Sequence, residues 1–389
     1  MQFRDLKKQY QVLKKDMDAA MLKVAEECNF ISGAQVAELE QELAAYVGAK
    51  NCVSCANGTD ALSIAMMAWG IGPGDAVFVP DFTFFSSGEI VPHCGATPVF
   101  VDMDEQTFNL DPASLEAAIE RVLATGKLRP RVIVAVDLFG LPADFARLRQ
   151  VADKYGLLLL EDGAQGFGGR IGEKTACSFG DLSTTSFFPA KPLGCYGDGG
   201  ALFTDDDQLA ELMRSIRVHG KGSMKYDNVR IGLNSRLDTI QAAVLSIKLK
   251  ALREYELTAV NRVAAQYTEL LKDAQDVLAT PVVPEGFYSS WAQYTLRLSD
   301  RAMRDKLQQA LKDQGIPTMI YYPKPMHMQL AFGLVAEDGK PVEGANFGLA
   351  CPVTEKLCQT VISLPMHPYL TEEEVATVAA AVKNALRMR

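Results

Sequence analysis

Between residues 51 and 160, short unbroken apolar runs alternate with segments of helical period, and few folds accommodate that rhythm. The runs are Cys52–Cys55, Ala76–Val79, Pro98–Val101, Val132–Val136 and Leu157–Leu160, with helical patterns at 60–69, 112–123 and 144–155. A strand with one wet face alternates polar and apolar residues. A strand covered on both faces reads as a continuous apolar run. The rhythm therefore predicts an α/β fold whose large sheet is mostly parallel and covered by helices.

Upstream, Val12, Met17, Ala20, Met21 and Val24 predict an amphipathic helix over 12–28. Val36, Leu39, Leu43 and Val47 mark a second, stopped by Gly48. Downstream, 236–275 reads as long helical material. It is followed by a strand at Gln293–Leu298, a helix near 302–314, a strand at Pro317–Tyr322, an apolar segment at Val361–Leu364 and a last helix from about 371. The expected division is a large α/β domain over 1–250 and a smaller α+β domain over 251–389, with one long helix connecting them.

Bulk properties exclude some classes. The net charge of −9 argues against a general nucleic-acid binder, which would carry a basic face. No stretch reaches the roughly 18 apolar residues of a membrane span, and the charged opening residues do not form a signal peptide. Eight cysteines scattered over 389 residues are too sparse for a disulfide scaffold, so the expected compartment is cytoplasmic. Cys52-x-x-Cys55 lacks a second ligand pair at zinc spacing, and no metal site is expected.

Ligands of parallel α/β sheets collect at the carboxyl ends of the strands. Three features fall there. Asn57-Gly58-Thr59-Asp60 separates a strand from a helix, and the free N–H groups of a helix N-terminus suit a phosphate. A plain strand–turn–helix with an N-cap gives the same pattern. Glu161-Asp162 ends the Leu157–Leu160 run, where a carboxylate needs a partner: a protonated ring nitrogen, an Arg, or the helix N-terminus that it caps. Ser183-Thr184-Thr185-Ser186-Phe187-Phe188-Pro189-Ala190-Lys191 leads a β-prone run into a lysine followed by Gly194, Gly197, Gly199 and Gly200. Most lysines are solvated surface groups; one set beside hydroxyls, proline and dense glycine suits imine chemistry. Together the three supply what pyridoxal phosphate needs: a phosphate cup, a carboxylate for the pyridinium nitrogen and a Schiff-base lysine.

These residues resemble the sugar aminotransferase family called DegT/DnrJ/EryC1/StrS. The likeness extends from Phe3 to Leu364-Pro365 and is densest at 57–62, 161–165, 186–191 and Asn234-Ser235-Arg236-Leu237-Asp238. It implies the type I fold of pyridoxal-phosphate-dependent aminotransferases. By the resemblance, Lys191 is the Schiff-base lysine, Asp162 partners the ring nitrogen and Gln165 donates to the ring hydroxyl. Gly58, Thr59 and Ser186 hold the phosphate, and Phe84 stacks on the ring. Asn234 reaches the phosphate from a second subunit, which implies a homodimer with shared active sites. Arg236, Tyr321, Tyr322 and His327 stand at substrate positions, although Tyr321 replaces a histidine frequent in relatives.

The stretch 185–200 is similar to family members that aminate UDP-linked 3-keto hexuronic acids for surface polysaccharide, with Arg236 available to fork onto a carboxylate. The implied reaction moves an amino group from L-glutamate to a nucleotide-linked keto-sugar in two half-reactions, hence with ping-pong kinetics. A UDP- or dTDP-linked 3- or 4-keto-6-deoxysugar is the alternative acceptor. A relative that kept the fold for regulation and lost turnover is the rival outside catalysis. Sugar dehydratases of the family carry histidine where this chain has Lys191.

Overall fold

The computed structural model describes residues 1–224 and 226–387. Helices α1 (Leu6–Glu27) and α2 (Ala34–Val47) precede strand β1 (Asn51–Cys55) and α3 (Gly58–Ala68). The chain then runs through β2 (Asp75–Pro80), α4 (Ser86–His93), β3 (Thr97–Val101), α5 (Pro112–Thr125), β4 (Arg129–Val136), α6 (Phe145–Tyr155) and β5 (Leu158–Asp162). After the two-residue strands β6 (Arg170–Ile171) and β7 (Lys174–Thr175) come β8 (Leu182–Ser186), β9 (Gly200–Thr204) and α7 (Asp207–Ile216).

Local chemistry sets several boundaries. In α5, the Asp111 carboxylate accepts from the Ser114 N–H, Pro112 occupies the first turn, and Gly126 ends the helix in the left-handed region. Such a cap contributes about 1 kcal/mol. Helix α1 begins at Leu6, earlier than the apolar period predicts, because Asp5 caps it through the Lys8 N–H. Its inward residue in that first stretch is Gln9, bonded to Glu256, and a polar contact leaves no apolar period to read.

Seven strands form one sheet in the order β1-β9-β8-β5-β4-β2-β3. Strands β3, β2, β4, β5 and β8 pair in parallel, whereas β9 runs antiparallel to both β8 and β1. The mostly parallel expectation holds, with one reversed strand inside it. Because two antiparallel steps restore direction, β1 points the same way as β8. The carboxyl ends of β1, β2, β4, β5 and β8 thus share one edge, and register places Val136 beside Asp162 and Asp162 beside Thr184.

The remaining elements are α8 (Thr239–Ala251), α9 (Leu257–Leu271), β10 (Leu278–Ala279), β11 (Phe287–Tyr288), β12 (Tyr294–Leu298), α10 (Arg301–Asp313), α11 (Pro352–Thr360), β13 (Val361–Leu364) and α12 (Glu372–Arg387). A π-helical turn at Leu252–Glu256 joins α8 to α9, so the helical run continues past residue 250. Strands β10, β12 and β13 form an antiparallel sheet, and its core includes Val260, Tyr267, Leu296, Leu307, Ile362 and Val378. Strand β11 pairs with β6. No described helix is long and apolar enough to cross a membrane.

One predicted strand fails. Residues 317–322 form no strand and make only a single bridge, Met319 to Ser363. Ile320, Tyr321 and Tyr322 instead turn apolar surface onto the main core, which satisfies the apolar pattern without a ladder. Helices α4 and α11 were not legible: both are short, and α4 contains Pro92.

Candidate active site

At the shared carboxyl edge lies a cleft of about 680 Å³, and nine of the twelve residues singled out in the sequence line it. The Asn57 side chain caps α3 by accepting from the Asp60 N–H at 2.8 Å, which aims the first turn of the helix into the cleft. A side chain at Gly58 would place its Cβ 2.6 Å from the Ser186 Cβ. One at Gly200, paired in register with Ser186, would meet the Asn57 carbonyl oxygen at 2.5 Å. These glycines therefore let the end of β8 and the start of α3 close on each other. Thr59 and Ser86 hydroxyls lie 2.7 Å apart beside Ser186 in the lining. Hydroxyls and free N–H groups at a helix N-terminus make a donor set suited to a phosphate.

Asp162 ends β5 and is buried. One oxygen accepts from the Ser87 hydroxyl at 2.8 Å and the other from the Ala164 N–H at 3.1 Å. Burial pushes its pKa up, while these bonds and the charge of Lys191 pull it back. Burial prevails and the net direction is up, so the carboxylate is one whose ionised form calls for a cationic partner.

Lys191 sits in the turn after β8, where its N–H donates to the Phe188 carbonyl at 2.8 Å. Its amine opens into the cleft. Burial lowers its pKa, Asp162 raises it and Arg4 lowers it further, and the net direction is down. A lowered pKa enlarges the neutral fraction, the form that attacks an aldehyde and accepts a proton.

The Gln165 amide is oriented by its own bonds. Its oxygen accepts from the Phe139 N–H at 2.8 Å, so its NH₂ faces the cleft and donates to the Tyr322 hydroxyl at 3.0 Å. Phe84 is 54% exposed and turns its ring to the cleft, whereas Phe85 packs on Phe332 with centroids 5.2 Å apart. Tyr321 and Tyr322 form the opposite wall.

Three of the twelve lie elsewhere. Asn234 is exposed and bridges Val218; neither it nor Arg236 lines the cleft of its own chain. His327 stands behind the cleft: its Nδ1 lies 2.6 Å from the buried Asp81 carboxylate and its Nε2 3.7 Å from Glu355. That pair fixes the segment carrying Tyr321 and Tyr322 to the loop after β2, and His327 is not among the residues lining the cleft. Sequence reading missed Ser86 and Ser87, whose signal was a pair of hydroxyls following the Phe84-Phe85 pair at a strand end. It also missed Lys324 and Gln293 in the lining.

The residues present fit pyridoxal phosphate: a cradle closed by Gly58 and Ser186, a buried carboxylate and a low-pKa lysine share one cleft.

Comparison with known proteins gives the same direction. A family model for the DegT/DnrJ/EryC1/StrS aminotransferase family matches residues 11–383. The UDP-2-acetamido-2-deoxy-3-oxo-D-glucuronate aminotransferase of Pseudomonas aeruginosa is 44% identical, over 98% of this chain and 99% of its own. A DegT/DnrJ/EryC1/StrS aminotransferase from Brucella abortus superposes with a TM-score of 0.92 at 46% identity, covering 99% of both chains. DesV from S. venezuelae, solved with a ketimine intermediate, superposes with a TM-score of 0.90 at 36% identity, covering 100% of this chain and 99% of that one.

Proposed function

The chain belongs to the DegT/DnrJ/EryC1/StrS aminotransferase family, is a pyridoxal-phosphate-dependent aminotransferase, and from that footing we propose that it moves the amino group of L-glutamate to C3 of a UDP-linked 2-acetamido-3-keto-glucuronate. The observation that carries the reading is the 44% likeness, over nearly both full lengths, to an enzyme named for that acceptor. The expected setting is surface polysaccharide synthesis.

When bound, the cofactor supplies an aldehyde that carries the amino group and a ring that takes up an electron pair. The protein's part follows from the geometry. The N–H groups at the start of α3, with the Thr59 and Ser186 hydroxyls, would hold the phosphate. Asp162, whose oxygens accept from Ser87 and the Ala164 N–H, would pair with the protonated ring nitrogen and favour its keeping that proton. Gln165 would donate to the ring hydroxyl and Phe84 would cover the ring. Lys191 Nζ takes the proton from the α-carbon of glutamate and delivers one to the sugar carbon that gains nitrogen. Walls of Phe84, Tyr321 and Tyr322 keep water from these transfers.

The active form is a homodimer. Asn234 and Arg236, outside their own cleft, reach the cleft of the other subunit, Asn234 to the phosphate and Arg236 to the uronate carboxylate. Supporting this, the adjacent loop exposes Met224 at 67% and Ile231 at 87%. With Val229 also exposed, these apolar groups cluster on one loop, and a clustered patch suits a covered face.

The test is transfer of ¹⁵N from labelled glutamate to synthetic UDP-3-keto sugars with and without the C6 carboxylate. Transfer to the uronate at least about tenfold faster, a difference of about 1.4 kcal/mol, is expected. Equal rates would remove the carboxylate from the reading, and a preference for a dTDP-linked 6-deoxy sugar would replace it with that acceptor.

A further inference from the structure

The turn bearing Lys191 is held from outside by a residue at the far end of the chain. The Arg4 guanidinium donates through Nη2 to the Lys191 carbonyl oxygen at 2.7 Å, across 187 positions of sequence. With the Lys191 N–H bonded to Phe188, both backbone groups of the lysine are fixed. The neighbouring Phe3 anchors the same segment twice. Its carbonyl accepts from the Met366 N–H at 3.1 Å, and its ring meets Tyr321 edge-on with centroids 6.2 Å apart. One short strap thus touches the lysine turn and the opposite wall of the cleft.

Arg4 is itself held in place. Glu256 is buried and faces it, and that carboxylate accepts from Gln9 at 2.8 Å and from the Tyr369 hydroxyl at 2.6 Å. The Tyr255 and Tyr369 hydroxyls lie 3.2 Å apart and extend the network. A guanidinium keeps its charge at any working pH. Lys191 is therefore flanked by Asp162 from β5 and by a permanent cation from the N-terminal strap. Lys248 and His367, both buried, also face Arg4, and burial first and then the Arg4 charge lower the pKa of each.

We propose that Arg4 is a positioning residue for the aminotransferase reaction: its bond to the Lys191 carbonyl fixes the turn, and the same bond places a fixed positive charge behind the lysine that must meet the cofactor. This rests on the reading of Lys191 as the Schiff-base lysine. The physical basis is that a nearby like charge disfavours a protonated amine, and the low polarity around the site strengthens the effect. Burial lowers the Lys191 pKa most, Asp162 opposes it, and Arg4 adds to the lowering.

The test compares wild type with Arg4→Gln, which loses the charge but retains a donor, and Arg4→Lys, which retains both. In the cofactor-free protein, acetic anhydride is applied across a pH series and acetylation of Lys191 is read by peptide mass spectrometry. In Arg4→Gln the labelling profile moves to higher pH, and labelling on the acid side of the midpoint falls about three- to tenfold. Arg4→Lys lies close to wild type. The rate at which the visible band appears on mixing with pyridoxal phosphate moves in parallel, since only the neutral amine attacks the aldehyde. If Arg4→Gln lowers the melting temperature but leaves the labelling profile in place, Arg4 is only structural and the proposal falls. A wild type that develops no visible band overturns the cofactor reading, while the labelling series still decides the role of Arg4.

Discussion

Replacing Gly58 with alanine tests whether the phosphate cradle depends on close approach of two elements. The new Cβ would stand 2.6 Å from the Ser186 Cβ and 3.1 Å from its Oγ. That is roughly 1 Å inside the ~3.5–4.0 Å separation at which carbon atoms attract. Relief is difficult on either side. Ser186 is held in register opposite Gly200, and Gly200 already packs against Asn57 and Gly58. Either β8 shifts or the first turn of α3 lifts, and both movements open the space between the helix N-terminus and the Ser186 hydroxyl. Overpacking of this kind costs about 1–3 kcal/mol. If it falls on the cofactor-binding form, affinity for pyridoxal phosphate drops about 5- to 150-fold. Equilibrium titration of the cofactor-free protein, followed by the visible band, measures it, with thermal melts of the same protein alongside. Gly48→Ala is the control, since nothing lies within 4 Å of its built Cβ, although its φ of +80° carries some local strain. Affinity within twofold of wild type would refute the reasoning. A loss of melting stability with unchanged affinity would show that the strain lies in the fold and not in the cradle.

Two further outcomes are expected. The His327 imidazole feels burial, which lowers its pKa, but the hydrogen bond and charge of Asp81, aided by Glu355 and Asp102, outweigh burial and leave it raised. The pair with Asp81 therefore stabilises the fold fully below the ordinary histidine value of about 6.5 and loses that contribution as pH rises through the raised one. Urea melts across this window in wild type and His327→Asn should differ by about 1.5–3 kcal/mol at the acid end and converge at the alkaline end; parallel curves would refute the pairing. The second concerns shared sites. Asn234→Ala and Lys191→Ala should each be inactive, yet a refolded 1:1 mixture should regain about a quarter of wild-type activity, because half the molecules are hybrids with one intact site. A mixture as inactive as its components would mean that Asn234 serves its own chain.

Much of the site was legible because its parts are local. Asn57 to Thr59, Asp162 and Lys191 each follow an apolar run directly, and a strand followed by a polar or glycine-rich turn marks a carboxyl end wherever the strand sits in the sheet. Other parts left no local mark. Ser87 bonds Asp162 from 75 positions away, and it opens a helix too short for a clear period. The run at 317–322 has the composition of a strand, yet it lines the cleft through Tyr321 and Tyr322 because its apolar side chains found a core without a pairing partner.

The sequence by itself determined which segments are buried on both faces and which residues end them, since side-chain periodicity and capping act over a few positions. It therefore determined the α/β class and the chemical identity of the lysine, the carboxylate and the phosphate turn. Only the tertiary structure decided the strand order, with antiparallel β9 between β1 and β8, and that order brings three distant turns to one cleft. It also decided that His327 serves Asp81 behind the cleft and that Arg4 holds Lys191. Contacts across 246 and 187 positions depend on how whole elements pack, and no short window of sequence carries that information.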